Sequence, residues 1–200
     1  MNPSDILASP SIYQAFQEAG GFFGARLKAI GDYLEIGPGA RIIDIGCGPG
    51  FIRKYLPDNV VYDGFDVDER YIAFARKRFG HLGGFHCRFF DDAAADAFGP
   101  ADIVMMNGVL HHIDDASLKG TLASIRRALR PGGTLFTLDG VYLERQSWLR
   151  RTMLDHDRGK FVRTEPAYRA LLEPVFDTVE SHVRNDLSWF PYSQLVMLAR

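Results

Sequence analysis

Apolar positions along the chain fall into two alternating rhythms. Across residues 11–36, Ile12, Phe16, Phe22, Phe23, Leu27, Ile30 and Leu34 recur at helical spacing, and the pattern breaks at Gly20 and Gly21. This predicts two helices joined at that pair, together an amino-terminal helical cap over residues 1–36. After Gly37-Pro38-Gly39 the rhythm changes. RIIDI, residues 41–45, reads as a buried strand that runs into a glycine cluster, and KYL before Pro57 as a short helix. The order then repeats, with VVYDGFD (60–66) as a strand, Asp68 as a helix cap, and Tyr71, Ile72, Phe74, Ala75 and Phe79 as the apolar side of the next helix.

GFHCRFF (84–90) and ADIVMMN (101–107) read as the third and fourth strands. So few residues separate them that the crossover helix must be very short or absent. A helix over residues 115–129 stops at Arg130-Pro131-Gly132-Gly133, and TLFTLDG (134–140) follows as the fifth strand. From residue 141 to 163 the periodicity is lost, which predicts a loop or lid rather than a sheet element. A helix over 165–172 and closing strands near 178–188 and 193–200 complete the pattern. Strands alternating with helices imply an α/β, doubly wound, mainly parallel sheet with both faces covered. Without internal repeats, residues 1–200 are expected to form a single domain.

Composition narrows the partners. The 200 residues are 46% hydrophobic and 24% charged, with a formal net charge of −2, and the pI is near 6.3. No global field exists here to attract nucleic acid or an anionic membrane. Cys47 and Cys87 stand far apart, without the spacing of a metal site or a disulfide framework. The amino-terminal stretch lacks the charge and apolar core of a secretory signal, and no apolar run approaches the roughly 18 to 20 residues that span a bilayer. The expectation is a cytoplasmic chain with no metal, no nucleic-acid partner and no membrane partner.

The chemistry concentrates in IIDIGCGPG, residues 42–50. An apolar strand carries Asp44 near its end, and Gly46, Gly48 and Gly50 lead toward a helix. Such glycines let the backbone turn sharply and approach a ligand at the carboxyl edge of the sheet. Asp66, ending the next strand in GFDVD, stands where a carboxylate can accept hydrogen bonds from ribose hydroxyls. A nicotinamide or flavin fingerprint would need its third glycine at Phe51. A phenylalanine there obstructs the helix-on-strand packing which that fingerprint requires.

IIDIGCGPG, GFDVD, ADIVMMNGVLHHI and LRPGGTLF, in this order over residues 37–140, resemble the successive motifs of class I S-adenosylmethionine-dependent methyltransferases. The resemblance implies a seven-stranded Rossmann-like sheet with its last strand antiparallel, in agreement with the two closing strands. It also implies S-adenosylmethionine as cofactor. Carried over by motif, Gly46, Cys47 and Gly48, with Gly50 closing the loop, would line the methionine part, and Asp44 would stand beside or behind it. Asp66 would hold the ribose and Val67 would touch the adenine. Asp91 or Asp92, next to Ala93, would meet the adenine amino group, the doubled Asp leaving the register open. Asn107 and Gly108 would pass backbone beneath the methionine. Cys47 has nothing basic beside it, which marks it as packing rather than a nucleophile.

Within that resemblance, few obligatory catalytic groups are expected, because the cofactor brings its own leaving group. His112 and, ranked below it, His111 follow the fourth strand beside the acceptor position and are candidate bases. Tyr13, Phe22 and Phe23 are candidates to cover the sulfonium, and Arg26 to pair with the methionine carboxylate. Residues 141–169, where acceptor specificity is expected, hold seven Lys or Arg against four acids. Arg158 and Arg163 are therefore candidates to grip an anionic small-molecule acceptor. The expected reaction is O-methylation of a metabolite or sugar-like acceptor. N- or C-methylation and a non-catalytic cofactor-binding partner remain the alternatives.

Overall fold

In the computed structural model, residues 21–157 and 159–200 are described. The first of the two expected amino-terminal helices, Tyr13 and Arg158 lie outside them. Strand β1 (Arg41–Ile45), β2 (Val61–Asp66), β3 (Gly84–Cys87), β4 (Ala101–Asn107), β5 (Leu129–Tyr142), β7 (Val179–Arg184) and β8 (Gln194–Ala199) build one sheet. Their order across it is β3-β2-β1-β4-β5-β8-β7, with the two-residue β6 (Arg163–Thr164) pairing to the end of β5. The pairs among β1 to β5 are parallel, and β8 runs antiparallel to both β5 and β7. This is the expected seven-stranded sheet with its last strand reversed.

Helices cover both faces. On one side lie α1 (Phe22–Tyr33) and α2 (Glu69–Phe79), whose Ala25, Ala29, Ile72 and Ala75 are buried against Ile42, Met105, Phe136 and Val196 of the strands. On the other lie α3 (Asp92–Phe98), α4 (Asp115–Ala128) and α6 (Glu165–Leu172), which bury Ala94, Leu118, Leu122 and Leu172 against Ile43, Val104, Leu135 and Met197. Caps fix where helices begin. The carboxylate of Asp68 accepts from Arg70 N–H, that of Asp91 from Ala94 N–H, and that of Asp114 from Ala116 and Ser117 N–H.

Three local expectations change. The third strand stops at Cys87 instead of Phe90: Arg88 N–H donating to Asp66 O closes the ladder where β2 ends, and Phe90 then packs edge-on to Phe65. The short crossover is the seven-residue α3. The stretch expected as an irregular loop holds α5 (Trp148–Asp155), capped by the Ser147 side chain, and then β6, whose Arg163 and Thr164 pair with Val141 and Tyr142. An eight-residue helix followed by a two-residue strand is too short to impose a visible apolar period.

The chain order of strands reverses between β1 and β4. Loops leaving their carboxyl ends diverge to opposite faces of the sheet, and a crevice opens between them.

Candidate active site

The crevice is a cavity of about 800 Å³ over the carboxyl ends of β1, β2, β4 and β5. One wall belongs to the glycine loop. Gly46 turns at φ +72°, its N–H and that of Cys47 both donating to Phe65 O at 2.7 and 3.0 Å. A Cβ on Gly46 would collide with the Val109 side chain, so the tight turn and the close approach of the two loops both demand glycine there. Asp66 locks this loop to β2. Its Oδ2 accepts from Gly48 N–H and its Oδ1 from Asp68 N–H, each at 2.9 Å. Burial raises its pKa while these two backbone donors oppose the rise. Phe51 packs edge-on to Phe79 and tilted on Phe74.

Nine of the sequence candidates line this one cavity: Phe22, Arg26, Gly46, Gly48, Asp66, Val67, Gly108, His111 and His112. Arg26 points its guanidinium to within 3.2 Å of where a Cβ on Gly108 would stand. Other candidates stand back from the lining. Asp44 is buried and accepts from the Tyr62 hydroxyl at 2.8 Å, and burial, partly offset by that bond, raises its carboxyl to about 7. Cys47 is buried too, and burial pushes its thiol well above the ordinary range, so it stays protonated and packs. Gly50 sits over Phe85, and Asn107 is buried at the end of β4.

The expected acidic contact to adenine does not reach the cavity. Asp91 caps α3 and pairs with Arg88 at 2.7 Å, Asp92 accepts from Ser124 Oγ at 2.6 Å, and Ala93 is exposed on the helix. The residues that line this side instead are Arg88, Phe89 and Phe90, where the chain leaves β3 early. Phe89 is 78% exposed and Val67 57%, an unusual outlay of apolar surface at the rim of a cavity.

Opposite the glycine loop stands a cluster that the motifs alone do not reveal. His111, 7% exposed, donates through Nδ1 to Asp139 Oδ1 at 2.7 Å, and its Nε2 faces Asp157 Oδ1 at 3.4 Å. Asp157 also accepts from the Tyr192 hydroxyl at 2.6 Å and from Gly159 N–H at 2.8 Å. Burial alone would lower the imidazole pKa, but the two carboxylates outweigh it and lift His111 to about 9. Despite its burial, Asp157 is held well below the usual carboxylate range by His111 and Tyr192. His112, ranked first from sequence, stacks on His111 with ring centroids 4.2 Å apart and is exposed at the rim. The buried, doubly paired ring is His111. Asp139 had a sequence signal, since it lies near the carboxyl end of its strand, as Asp44 and Asp66 do in β1 and β2; Asp157, Tyr192 and Gln194 had none.

Arg163, a candidate for gripping an anion, is engaged within the protein. Nε donates to Asp115 Oδ1, Nη1 to Leu110 O and Phe161 O, and Nη2 to Ile113 O and Asp115 Oδ1, at distances of 2.6 to 3.0 Å. All five of its N–H groups are thus engaged within the protein. It staples the chain after α5 to the turn that carries His111.

Comparison with known proteins agrees with this geometry. Residues 43–135 match the family described as a methyltransferase domain. The ubiquinone biosynthesis O-methyltransferase of Aromatoleum aromaticum is 30% identical over 102 residues, covering 49% of this chain and 43% of that protein. The acetylserotonin O-methyltransferase of Mus musculus molossinus is 31% identical over 176 residues, covering 79% of this chain and 43% of that protein. In fold, the chain resembles a TehB-like SAM-dependent methyltransferase from Corynebacterium glutamicum, with a TM-score of 0.68 at 19% identity and both chains fully covered. The chain spans less than half the length of these curated relatives.

Proposed function

We propose that this chain, which matches a methyltransferase-domain family over residues 43–135 and shares the fold of an S-adenosylmethionine-dependent methyltransferase, transfers the methyl group of S-adenosylmethionine to a hydroxyl of a small-molecule acceptor. The observation that carries this reading is the joining of two halves in one cavity: the Gly46 loop with Asp66 on one side, and the buried His111 on the other.

The residues fit the cofactor. A volume of about 800 Å³ lies within the roughly 300–1,000 Å³ of small-molecule sites. Asp66 spends two acceptor positions on backbone N–H groups and keeps others for ribose hydroxyls. Arg26 stands by Gly108 to meet the methionine carboxylate, and Val67 and Phe89 offer apolar surface at the rim. When bound, S-adenosylmethionine supplies an electrophilic methyl on sulfur that leaves as a neutral thioether.

What the protein adds is placement and proton handling. Asp139 fixes the His111 ring through Nδ1, leaving Nε2 as the atom that can exchange a proton with a hydroxyl once Asp157 gives way. The stacked His112 is the outer candidate. The O-methyltransferase relatives favour oxygen as the atom methylated. Nitrogen is the second reading, favoured by the two carboxylates that flank His111.

The test has two stages. Calorimetry with S-adenosylhomocysteine should give saturable heat, and NAD none. A screen of hydroxyl- and amine-bearing acceptors with radiolabelled S-adenosylmethionine should then yield a labelled product that disappears in His111→Gln. Saturable binding with no labelled product across the screen would turn the assignment toward a non-catalytic cofactor-binding protein.

A further inference from the structure

We propose that the acceptor half of the cavity recognises a flat, apolar molecule carrying a protonated amine and discriminates against carboxylates and phosphates. The inference rests on the reading of the cavity as a cofactor half joined to an acceptor half, and it replaces the anionic acceptor expected from the charge of residues 141–169.

Charge is the first ground. Asp139 and Asp157 both line this half, with His111 alone between them. Whether or not that ring holds its proton, the cluster carries net negative charge. The Asp157 side chain is 20% exposed, so its carboxylate is open to a ligand as well as to its three protein donors.

Unmet polarity is the second and is independent of the first. Gln194, on β8, lines the same cavity at 6% exposure, and its Oε1 has no hydrogen-bond donor; Asp139 Oδ2 likewise has none. Buried acceptors without donors are costly, and both lack what an ammonium or amine supplies and an anion cannot. Shape is the third. Phe22 meets Tyr192 edge-on at 5.3 Å and Phe190 at 6.0 Å, forming an aromatic wall of the kind that holds flat rings and organic cations.

Among the described residues, the arginines near Asp157 are engaged elsewhere. Among the described residues, Arg26 and Arg88 line the cofactor half, the latter paired with Asp91. Arg150 donates to Asn185 Oδ1 and Tyr192 O, and Arg163 is fully engaged. The positive surplus of residues 141–169 is in large part turned to holding the fold together. An anion placed beside Asp157 would find, among the described residues, Arg150 and Arg163 already engaged.

The experiment loads the protein with S-adenosylhomocysteine and titrates isosteric pairs by calorimetry: tryptamine against indole-3-propionate, and phenethylamine against 3-phenylpropionate. Each amine should bind at least about tenfold more tightly than its carboxylate, and Asp157→Asn should shrink that preference to about threefold or less. Because Asp157 also anchors its loop, Gln194→Leu provides a second arm that leaves the His111 cluster intact. It should weaken the amines severalfold while leaving S-adenosylhomocysteine affinity in place. Equal binding, preference for the carboxylates, or heat from neither member of both pairs overturns the proposal. Failure of S-adenosylhomocysteine to load is seen before any acceptor is added, and it removes the underlying function together with this inference.

Discussion

Nδ1 of His111 lies 2.7 Å from Oδ1 of Asp139, across the gap between the turn after β4 and the end of β5. With Asp157 on the opposite nitrogen, the ring is held as a cation between two carboxylates, its pKa lifted from 6.5 to about 9. A histidine whose folded pKa exceeds its unfolded value contributes stability that is fully present below the unfolded pKa. That contribution is lost as pH rises through the folded one.

The chain should therefore lose stability between about pH 6.5 and 9, and His111→Gln should remove that part of the slope. Denaturant melts of both proteins across this window measure it. The same titration governs catalysis: if His111 takes the acceptor's proton, kcat/KM rises with pH and levels off near 9. A rate flat from neutral pH upward would point to a reaction that needs no base.

Asp66 ties the glycine loop to β2 through Gly48 N–H and is the residue proposed to hold the ribose. Asp66→Ala should weaken S-adenosylhomocysteine binding by roughly 1 to 3 kcal/mol, because a carboxylate acceptor is lost and the loop is freed. Calorimetry on the folded variant gives the number. Unchanged affinity would place the ribose elsewhere.

The cofactor half was legible in the sequence for a local reason. IIDIG and GFDVD each combine a buried strand with the residues that terminate it, so chain order alone sets Gly46 and Asp66 beside each other once β1 and β2 pair. The half proposed to take the acceptor joins residues 111, 139, 157 and 192, which no short-range pattern links. Charge counting over residues 141–169 does not reveal how many carbonyl groups each guanidinium already holds, and Arg163 holds three of them together with Asp115. The third strand ends early because its partner does: GFHCRFF is apolar enough to continue, but β2 stops at Asp66 and Arg88 N–H makes the last ladder bond to it.

Gly159 lies flat against the His111 ring, where an added Cβ would overlap Cδ2, while Phe161 N–H donates to His111 O at 2.9 Å. Gly159→Ala should thus lift the segment off the ring and cost about 1 to 3 kcal/mol, the range for inserting a methyl into packed space. Losing the Asp157 contact should also bring the His111 pKa down from about 9. Imidazole proton chemical shifts followed by pH titration would register the drop. An unaltered His111 titration in the variant would mean that Asp139 alone sets the charge.

The final prediction concerns Arg163, which the two readings of the segment after β5 treat in opposite ways. An acceptor-binding arginine would leave stability nearly untouched when removed and would raise the acceptor's KM. The observed side chain makes five donations, three of them to the carbonyls of Leu110, Ile113 and Phe161, and it stacks 5.5 Å from the Tyr168 ring centre. Arg163→Ala leaves those carbonyls and Asp115 without their donor and should cost on the order of 3 kcal/mol. Arg163→Lys should recover only part of it, since an ammonium cannot reproduce the planar fork. Thermal melts of the two variants, each with and without S-adenosylhomocysteine, give the comparison. The staple predicts lower melting temperatures in both, with the cofactor still raising each. A full-stability Arg163→Ala with a raised KM would return the residue to the acceptor and count against an amine-selective cavity.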